Sequence, residues 1–64
     1  MQPFQDRVVD EKLELDDKLS RLNGFLSSPG FASLPDEEKK RLDRQREVMH
    51  EYSEILRSRI AAFQ

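Results

Sequence analysis

The sequence predicts an all-α fold, a hairpin of two long antiparallel helices that forms a single helical-hairpin domain over residues 1–64. Three observations predict this fold. Apolar residues recur at helical spacing in both halves of the chain, and no segment alternates between apolar and polar residues as a β-strand does. The third is a single stretch of serine, proline and glycine at residues 27–30, which divides the halves. Two helices joined by a connection this short pack antiparallel.

The first helix is predicted over residues 3–27. Pro3 suits the first helical turn, where a missing N–H group costs nothing. Lys12 lies within the main apolar stripe of this helix, which is about 60° wide on a helical wheel and is formed by Phe4, Val8, Leu15, Leu19, Leu22 and Leu26. Val9 and Leu13 lie about 100–140° from the centre of the stripe. They form a second apolar strip that the other helix of the hairpin cannot cover.

The second helix is predicted over residues 34–62. Ser33 followed by Asp36 resembles a capping arrangement, which places the helix start there. Apolar residues then recur every seven positions, with three polar residues between them; the apolar set is Leu42, Met49, Leu56 and Phe63, and the polar set is Gln45, Tyr52 and Arg59. Arg59 is therefore expected inside the apolar seam. A guanidinium group there needs an anion, either a carboxylate of a neighbouring helix or a phosphate of a ligand.

The chain is expected to assemble with copies of itself. It has 64 residues, no cysteine and one histidine, His50, so neither a disulfide nor a structural zinc ion can stabilise so small a core. Each helix also keeps a second apolar edge, Val9 and Leu13 on the first and Val48 and Ile55 on the second. We therefore predict a symmetric homo-oligomer of hairpins.

Composition excludes several classes of function. Charged residues make up 38% of the chain, yet the formal net charge is only −2 and the two signs are interspersed, so binding to a DNA or RNA polymer is not expected. No apolar run has the length of a membrane span, and the N-terminus lacks the pattern of a signal peptide. These features predict a soluble intracellular protein without membrane contact.

The sequence offers little for catalysis. His50 and Ser53 are three residues apart and within contact distance on a helix, but no oxyanion hole or orienting acid accompanies them. The acidic residues fit solvated helix surfaces and a helix start better than a metal site, and no glycine loop could hold a phosphate. We expect no enzyme activity, no catalytic residue, no metal and no cofactor.

Cations beside aromatic rings are the main candidate binding feature. Arg7, Lys18 and Phe25 share one edge of the first helix, next to Phe4. A nucleotide needs such a set, because a ring stacks on its base and cations bind its phosphates. The alternative is that Arg7 and Lys18 pair with the acids at positions 11 and 14 and shield the aromatic side chains.

Several segments together resemble a known family. They are the run QDRVVDEKLELDDKL from Gln5, Leu22 with Phe25, the segment FASL from Phe31, and MHEYSEILRSRI from Met49. Spread over nearly the whole chain, they are similar to the anti-CBASS cyclic-oligonucleotide sponges of phages and their small relatives. The resemblance implies a compact helical subunit that assembles into a symmetric oligomer, with a hexamer expected. It also implies that the protein sequesters cyclic di- or trinucleotides made by bacterial immune synthases, without cleaving them, in the host cell cytoplasm.

The resemblance also implies site residues. In this family a cyclic dinucleotide lies between subunits, and the matching positions here are Phe4 for base stacking and Lys18 and Ser20 for the phosphates. A separate cyclic trinucleotide site uses an arginine of the last helix, which matches Arg59. With Arg7 from the cationic edge, these residues form the predicted ligand site. Two other functions remain open: a helical protein–protein module that docks its surplus apolar edge on a host protein, and a purely structural coiled coil.

Overall fold

The computed structural model describes residues 2–64, which form three helices in the order α1 Pro3–Leu26, α2 Pro29–Ala32 and α3 Asp36–Ala61. The long helices α1 and α3 pack side by side and antiparallel, and α2 is a single turn within their connection. The molecule measures 47 × 14 × 13 Å, which is the shape of one helical hairpin. The predicted all-α hairpin is therefore confirmed, whereas its assembly into an oligomer stays a prediction.

Helix α1 begins where the sequence predicts and ends one residue earlier than predicted, at Leu26. Pro3 occupies its first turn, and the Gln2 N–H group donates a hydrogen bond of 2.9 Å to the side-chain oxygen of Gln5. Gln5 is buried, which its polar side chain does not predict. Gly24 does not end or break the helix, which continues for two more residues.

The connection contains a helical turn that the sequence analysis missed. Ser28 caps α2, because its side-chain oxygen accepts a hydrogen bond from the Phe31 N–H group, and Pro29 takes the first helical position. Phe31 packs edge-on against Phe25, with ring centroids 6.2 Å apart. The same residues that stop α1 therefore start α2, and Phe31, which also lies under the Lys39 ammonium group, closes this end of the hairpin.

The predicted start of the last helix is wrong by two residues. Helix α3 begins at Asp36, and Pro35 rather than Ser33 stands at its N-cap. Ser33 lies too far from the first turn to cap it, and its hydroxyl instead donates a hydrogen bond of 2.9 Å to the Gly30 carbonyl oxygen. Three consecutive carboxylates at residues 36–38 lie in the first turn of α3, where the positive end of the helix dipole favours them.

The buried core lies between α1 and α3 and is small. Val8, Leu15 and Leu56 are buried, and Met49, Ile60 and Phe63 pack around them. These residues confirm most of the predicted seam. In the residues that the structure describes, neither long helix has an apolar stretch that could cross a lipid bilayer.

The predicted position of Arg59 within the seam is wrong. Arg59, Tyr52 and Gln45 are exposed, whereas Ser53 is buried against α1. The face of α3 that meets α1 is centred on Leu56 and includes Ser53, which lies about 60° around the helix from Leu56, on the side away from Tyr52. A single partner helix covers only a narrow stripe, so the polar positions of the heptad pattern fall at its edge and remain in solvent.

Candidate functional site

Two contacts define the two broad faces of the hairpin: one joins α1 and α3, and the other joins α1 and Phe63, just beyond the end of α3. On one face, which we call the Lys12 face, the side chains of Lys12, Asp16 and Ser53 bond to one another across the helix boundary. On the opposite face, which we call the Phe4 face, the rings of Phe4 and Phe63 meet edge to face with centroids 5.9 Å apart. Because each helix turns by about 100° per residue, these contacts fix which face every other side chain shares.

Four of the five predicted ligand residues share the Phe4 face. Arg7 and Lys18 project within about 60° of Phe4 around α1, and Arg59 projects about 60° from Leu56 around α3, on the side away from Ser53. All are exposed, and Phe4 keeps 54% of its surface in solvent. Ser20 is exposed too, but it lies about 160° from Phe4 around α1, so one hairpin does not bring Ser20 together with Lys18.

The three candidate cations have no ion pair among residues 2–64. Six other cations each pair with a carboxylate of their own helix: Lys12, Arg21, Lys40, Arg41, Arg44 and Arg57. Within these residues, Arg7 and Lys18 do not pair with Glu11 or Glu14, so the structure does not contain the alternative arrangement. Arg7, Lys18 and Arg59 therefore keep their N–H donors available for an anion.

The surroundings of Arg59 are apolar. A carboxylate on the same helix could reach Arg59 from a position three or four residues away. The residues at those four positions are Ile55, Leu56, Ala62 and Phe63. Arg59 lines an open hollow of about 460 Å³ along the outside of α3, together with Glu54, Ile55, Ser58 and Ala62. This hollow lies on one helix, so a second surface is needed to close it over a ligand.

Glu54, the one carboxylate among the residues that line the hollow, is paired with Arg57. The Arg57 guanidinium donates two hydrogen bonds to it, of 2.6 and 3.1 Å. These bonds, with the positive charge of Arg57, lower the pKa of Glu54. The carboxylate of Glu54 is therefore directed to Arg57 and away from Arg59.

The polar cluster on the Lys12 face is the feature that the sequence analysis missed. The Lys12 ammonium group donates hydrogen bonds to Asp16, at 2.7 Å, and to the Ser53 hydroxyl, at 3.2 Å. Ser53 in turn donates to the second carboxylate oxygen of Asp16, at 2.6 Å. Lys12 within an apolar stripe was the available signal for this cluster, because a lysine facing another helix needs a partner there.

The contact between His50 and Ser53 that their spacing allows is not formed; the Ser53 hydroxyl donates to Asp16 instead. Among residues 2–64, no three histidine, aspartate or glutamate side chains converge in a way that could hold a metal ion. The exposed cations of the Phe4 face offer hydrogen-bond donors for an anion.

These features define a small all-helical hairpin with exposed aromatic and cationic residues on one face. The chain belongs to the Sequestin family, whose family model matches residues 2–62. The match confirms the predicted family resemblance, because the name of the family denotes sequestration. Comparison with curated proteins gave no match, and comparison with solved structures also gave none.

Proposed function

We propose that this protein is a phage anti-defence protein, which binds and sequesters cyclic di- or trinucleotide immune signals in the cytoplasm of the infected cell. The family name, Sequestin, supports a sequestering function. The Phe4 face supports the chemistry of the ligand, because it offers an exposed aromatic ring for a base and cations for phosphates.

One observation carries this proposal: Arg59 is exposed in an apolar hollow and has no carboxylate at the helical positions that could reach it. An arginine placed only for solubility would gain from a nearby acid, as the arginines at positions 41, 44 and 57 do. A phosphate suits Arg59 better, because its guanidinium group can donate two parallel hydrogen bonds to phosphate oxygens.

Sequestration requires no bond to be broken. The captured signal cannot reach its effector, and the effect depends on the number of sites and on their affinity relative to the effector. The Phe4 face of one hairpin is open to water, which weakens each charged contact. A second copy of the chain that covers this face would exclude water and strengthen the contacts, and this fits the predicted symmetric oligomer, with a hexamer expected.

Calorimetric titration with a panel of cyclic di- and trinucleotides tests the proposal. We expect the wild-type protein to bind at least one ligand, and expect Lys18→Ala or Arg59→Ala to weaken binding of one ligand class by about 10- to 100-fold, since a hydrogen bond to a charged group is worth about 1.5–3 kcal/mol. The bound ligand, released by boiling, should have an unchanged mass because the protein does not cleave it.

Lys40→Ala is the matched control for this titration. It removes the same unit of charge from α3 at an exposed position already paired with Glu37, so it reports the effect of net charge alone. We expect Lys40→Ala to bind as the wild type does. Absence of binding across the whole panel by the folded wild-type protein would refute the sponge function.

A second candidate function, a protein–protein interaction module, is favoured by the exposed apolar side chains. Leu13, Val48 and Ile55 are all exposed, and an adaptor or inhibitor would dock such residues on a host protein. This function predicts that no cyclic nucleotide binds in the titrations. It also predicts that the purified protein is a monomer or dimer whose apolar residues remain uncovered until the host protein binds.

A further inference from the structure

Tyr52 is an exposed aromatic residue of the Phe4 face to which no role has yet been given. It projects about 40° from Leu56 around α3, on the side away from Ser53, and 40% of its surface is in solvent. Neither of the two aromatic ring pairs among residues 2–64 includes Tyr52. Its ring is therefore available to a group from outside the hairpin.

The antiparallel packing of α1 and α3 places Tyr52 beside Lys18. Ser53 of α3 bonds to Lys12 and Asp16 of α1. Its neighbour Tyr52 is therefore level with α1 at about residue 15, and Lys18 lies only about 4.5 Å further toward the connection. Side chains lean toward the N-terminus of their own helix, so in this antiparallel pair Lys18 and Tyr52 lean toward each other. Both are exposed.

Phe4 is too far from Lys18 for the two to hold one small ligand within a single hairpin. Lys18 comes 14 residues after Phe4 in the same helix. This spacing is a distance of about 21 Å along α1. Phe25 lies in the direction away from which Lys18 leans, and its ring packs edge-on against Phe31 at the connection. Tyr52 is therefore the exposed ring toward which Lys18 leans.

The ammonium group of Lys18 is available for a ligand. Glu14 is the one carboxylate three or four residues from Lys18 along α1, and the two side chains do not pair. The neighbouring carboxylate of Asp17 bonds to Arg21 at 2.6 Å. Lys18 therefore keeps three N–H donors for an anion.

We propose that Tyr52 and Lys18 form a nucleotide subsite of their own, in which a base stacks on the phenol ring and the phosphate of the same nucleotide binds the ammonium group. This subsite rests on the proposed sequestering function and extends it, because it gives Lys18 an aromatic partner other than Phe4. The Phe4 face then has two subsites. The second lies at the chain ends and has Phe4, Arg7 and Arg59.

Tyrosine fluorescence tests the assignment directly. The chain has one tyrosine and no tryptophan, so its tyrosine emission comes from Tyr52 alone. We expect the cyclic nucleotide that binds in the calorimetric panel to quench this emission over the same range of ligand concentration, because a stacked base quenches the ring beneath it. A parallel titration of N-acetyltyrosinamide corrects for the light that the nucleotide absorbs.

Two variants of Tyr52 accompany the fluorescence measurement. Tyr52→Leu removes the ring and should weaken binding about 5- to 100-fold, which is the range expected for the loss of one stacked base. Tyr52→Phe is the matched control, because it keeps the ring and loses only the hydroxyl group; it should bind almost as tightly as the wild type. Circular dichroism checks that both variants keep their helices.

Double-mutant cycles distinguish a shared subsite from a structural role. If Tyr52 and Lys18 hold one nucleotide, the double variant Tyr52→Leu/Lys18→Ala should lose less affinity than the product of the two single losses, because either change alone already loosens that nucleotide. In Tyr52→Leu/Phe4→Leu the two losses should multiply, since the two rings belong to different subsites.

Failure of the subsite differs from failure of the sequestering function. A ligand that binds in calorimetry but leaves the tyrosine emission unchanged would overturn the subsite and leave the function intact. The same holds if Tyr52→Leu binds as the wild type does, or if Lys18 couples to Phe4 and not to Tyr52. If no cyclic nucleotide of the panel binds the folded wild-type protein, the function and the subsite are both refuted.

Discussion

At the scale of single residues, the contact between Lys12, Asp16 and Ser53 shows what a helical wheel can and cannot predict. The wheel correctly placed Lys12 in the stripe that faces α3. It could not predict the partner, because a wheel gives angles within one helix and not the rotation of a second helix against it. The spacing along α3 places Ser53 beside His50, whereas in the structure Ser53 bonds to Asp16 of α1.

Asp16→Asn tests the contribution of this cluster through its pH dependence. The hydrogen bond from Lys12, and next that from Ser53, lower the pKa of Asp16 in the folded protein. Stability from this carboxylate is therefore present above its unfolded pKa of about 3.9 and is lost as the pH falls through its lower folded pKa. We expect the difference in the free energy of unfolding between wild type and Asp16→Asn to be largest near neutral pH and to shrink in acid.

Urea denaturation from pH 2 to pH 7 measures this difference. Asp17→Asn is the matched control, because the neighbouring carboxylate of Asp17 bonds only to Arg21 on its own helix and is well exposed. Its stability difference from wild type should be smaller at neutral pH, since an exposed pair contributes about 0–1 kcal/mol. Curves for wild type and Asp16→Asn that run parallel over the whole pH range would contradict the role of the cluster.

At the scale of helices, the prolines mark the observed helix starts more closely than the predicted capping pattern does. Pro3 marks the start of α1, and Pro29 and Pro35 stand at the starts of α2 and α3. The serine at position 33 misled the prediction because a serine before a helix can equally close the turn that precedes it. The short helix α2 was missed because four residues give no hydrophobic periodicity to detect.

Gly24→Ala is expected to stabilise the protein by about 0.5–1 kcal/mol, because glycine in a helix interior loses more conformational freedom on folding than alanine does. Gly24 lies inside α1, its φ angle is not positive, and a new Cβ atom would have no other atom within 4 Å to clash with. Thermal or urea denaturation measures the change in the free energy of unfolding.

Gly30→Ala is the comparison for this variant. There the new Cβ atom would lie 3.3 Å from the Phe25 ring, so the ring must shift to admit it. We expect a smaller gain or a loss of stability. If both variants gained equal stability, or if Gly24→Ala lost stability, the conformational entropy of the helix and the clash with the Phe25 ring would not explain the stability changes at these two positions.

At the scale of the whole molecule, the sequence predicted the hairpin and the uncovered apolar edges, but not the geometry of the site. Each helix has its own apolar pattern, so the fold class and the exposed positions of Leu13 and Ile55 could be predicted. Which cations of the two helices share a face depends on how α1 and α3 are rotated against each other. The sequence does not give this rotation, whereas contacts such as that of Phe4 with Phe63 do. Ser20, which the resemblance groups with Lys18, lies on the other side of the hairpin, but this separation is an angle within α1 that the helical wheel alone gives.

The buried residues lie in the half of the hairpin that carries both chain ends. Val8 and Leu15 belong to the first part of α1, and Ser53 and Leu56 to the last part of α3. Local opening should therefore begin near the connection rather than at the termini. In hydrogen–deuterium exchange, we expect amides around residues 8–15 and 53–56 to exchange most slowly. The opposite gradient, with slow exchange beside the connection, would mean that another surface protects that end.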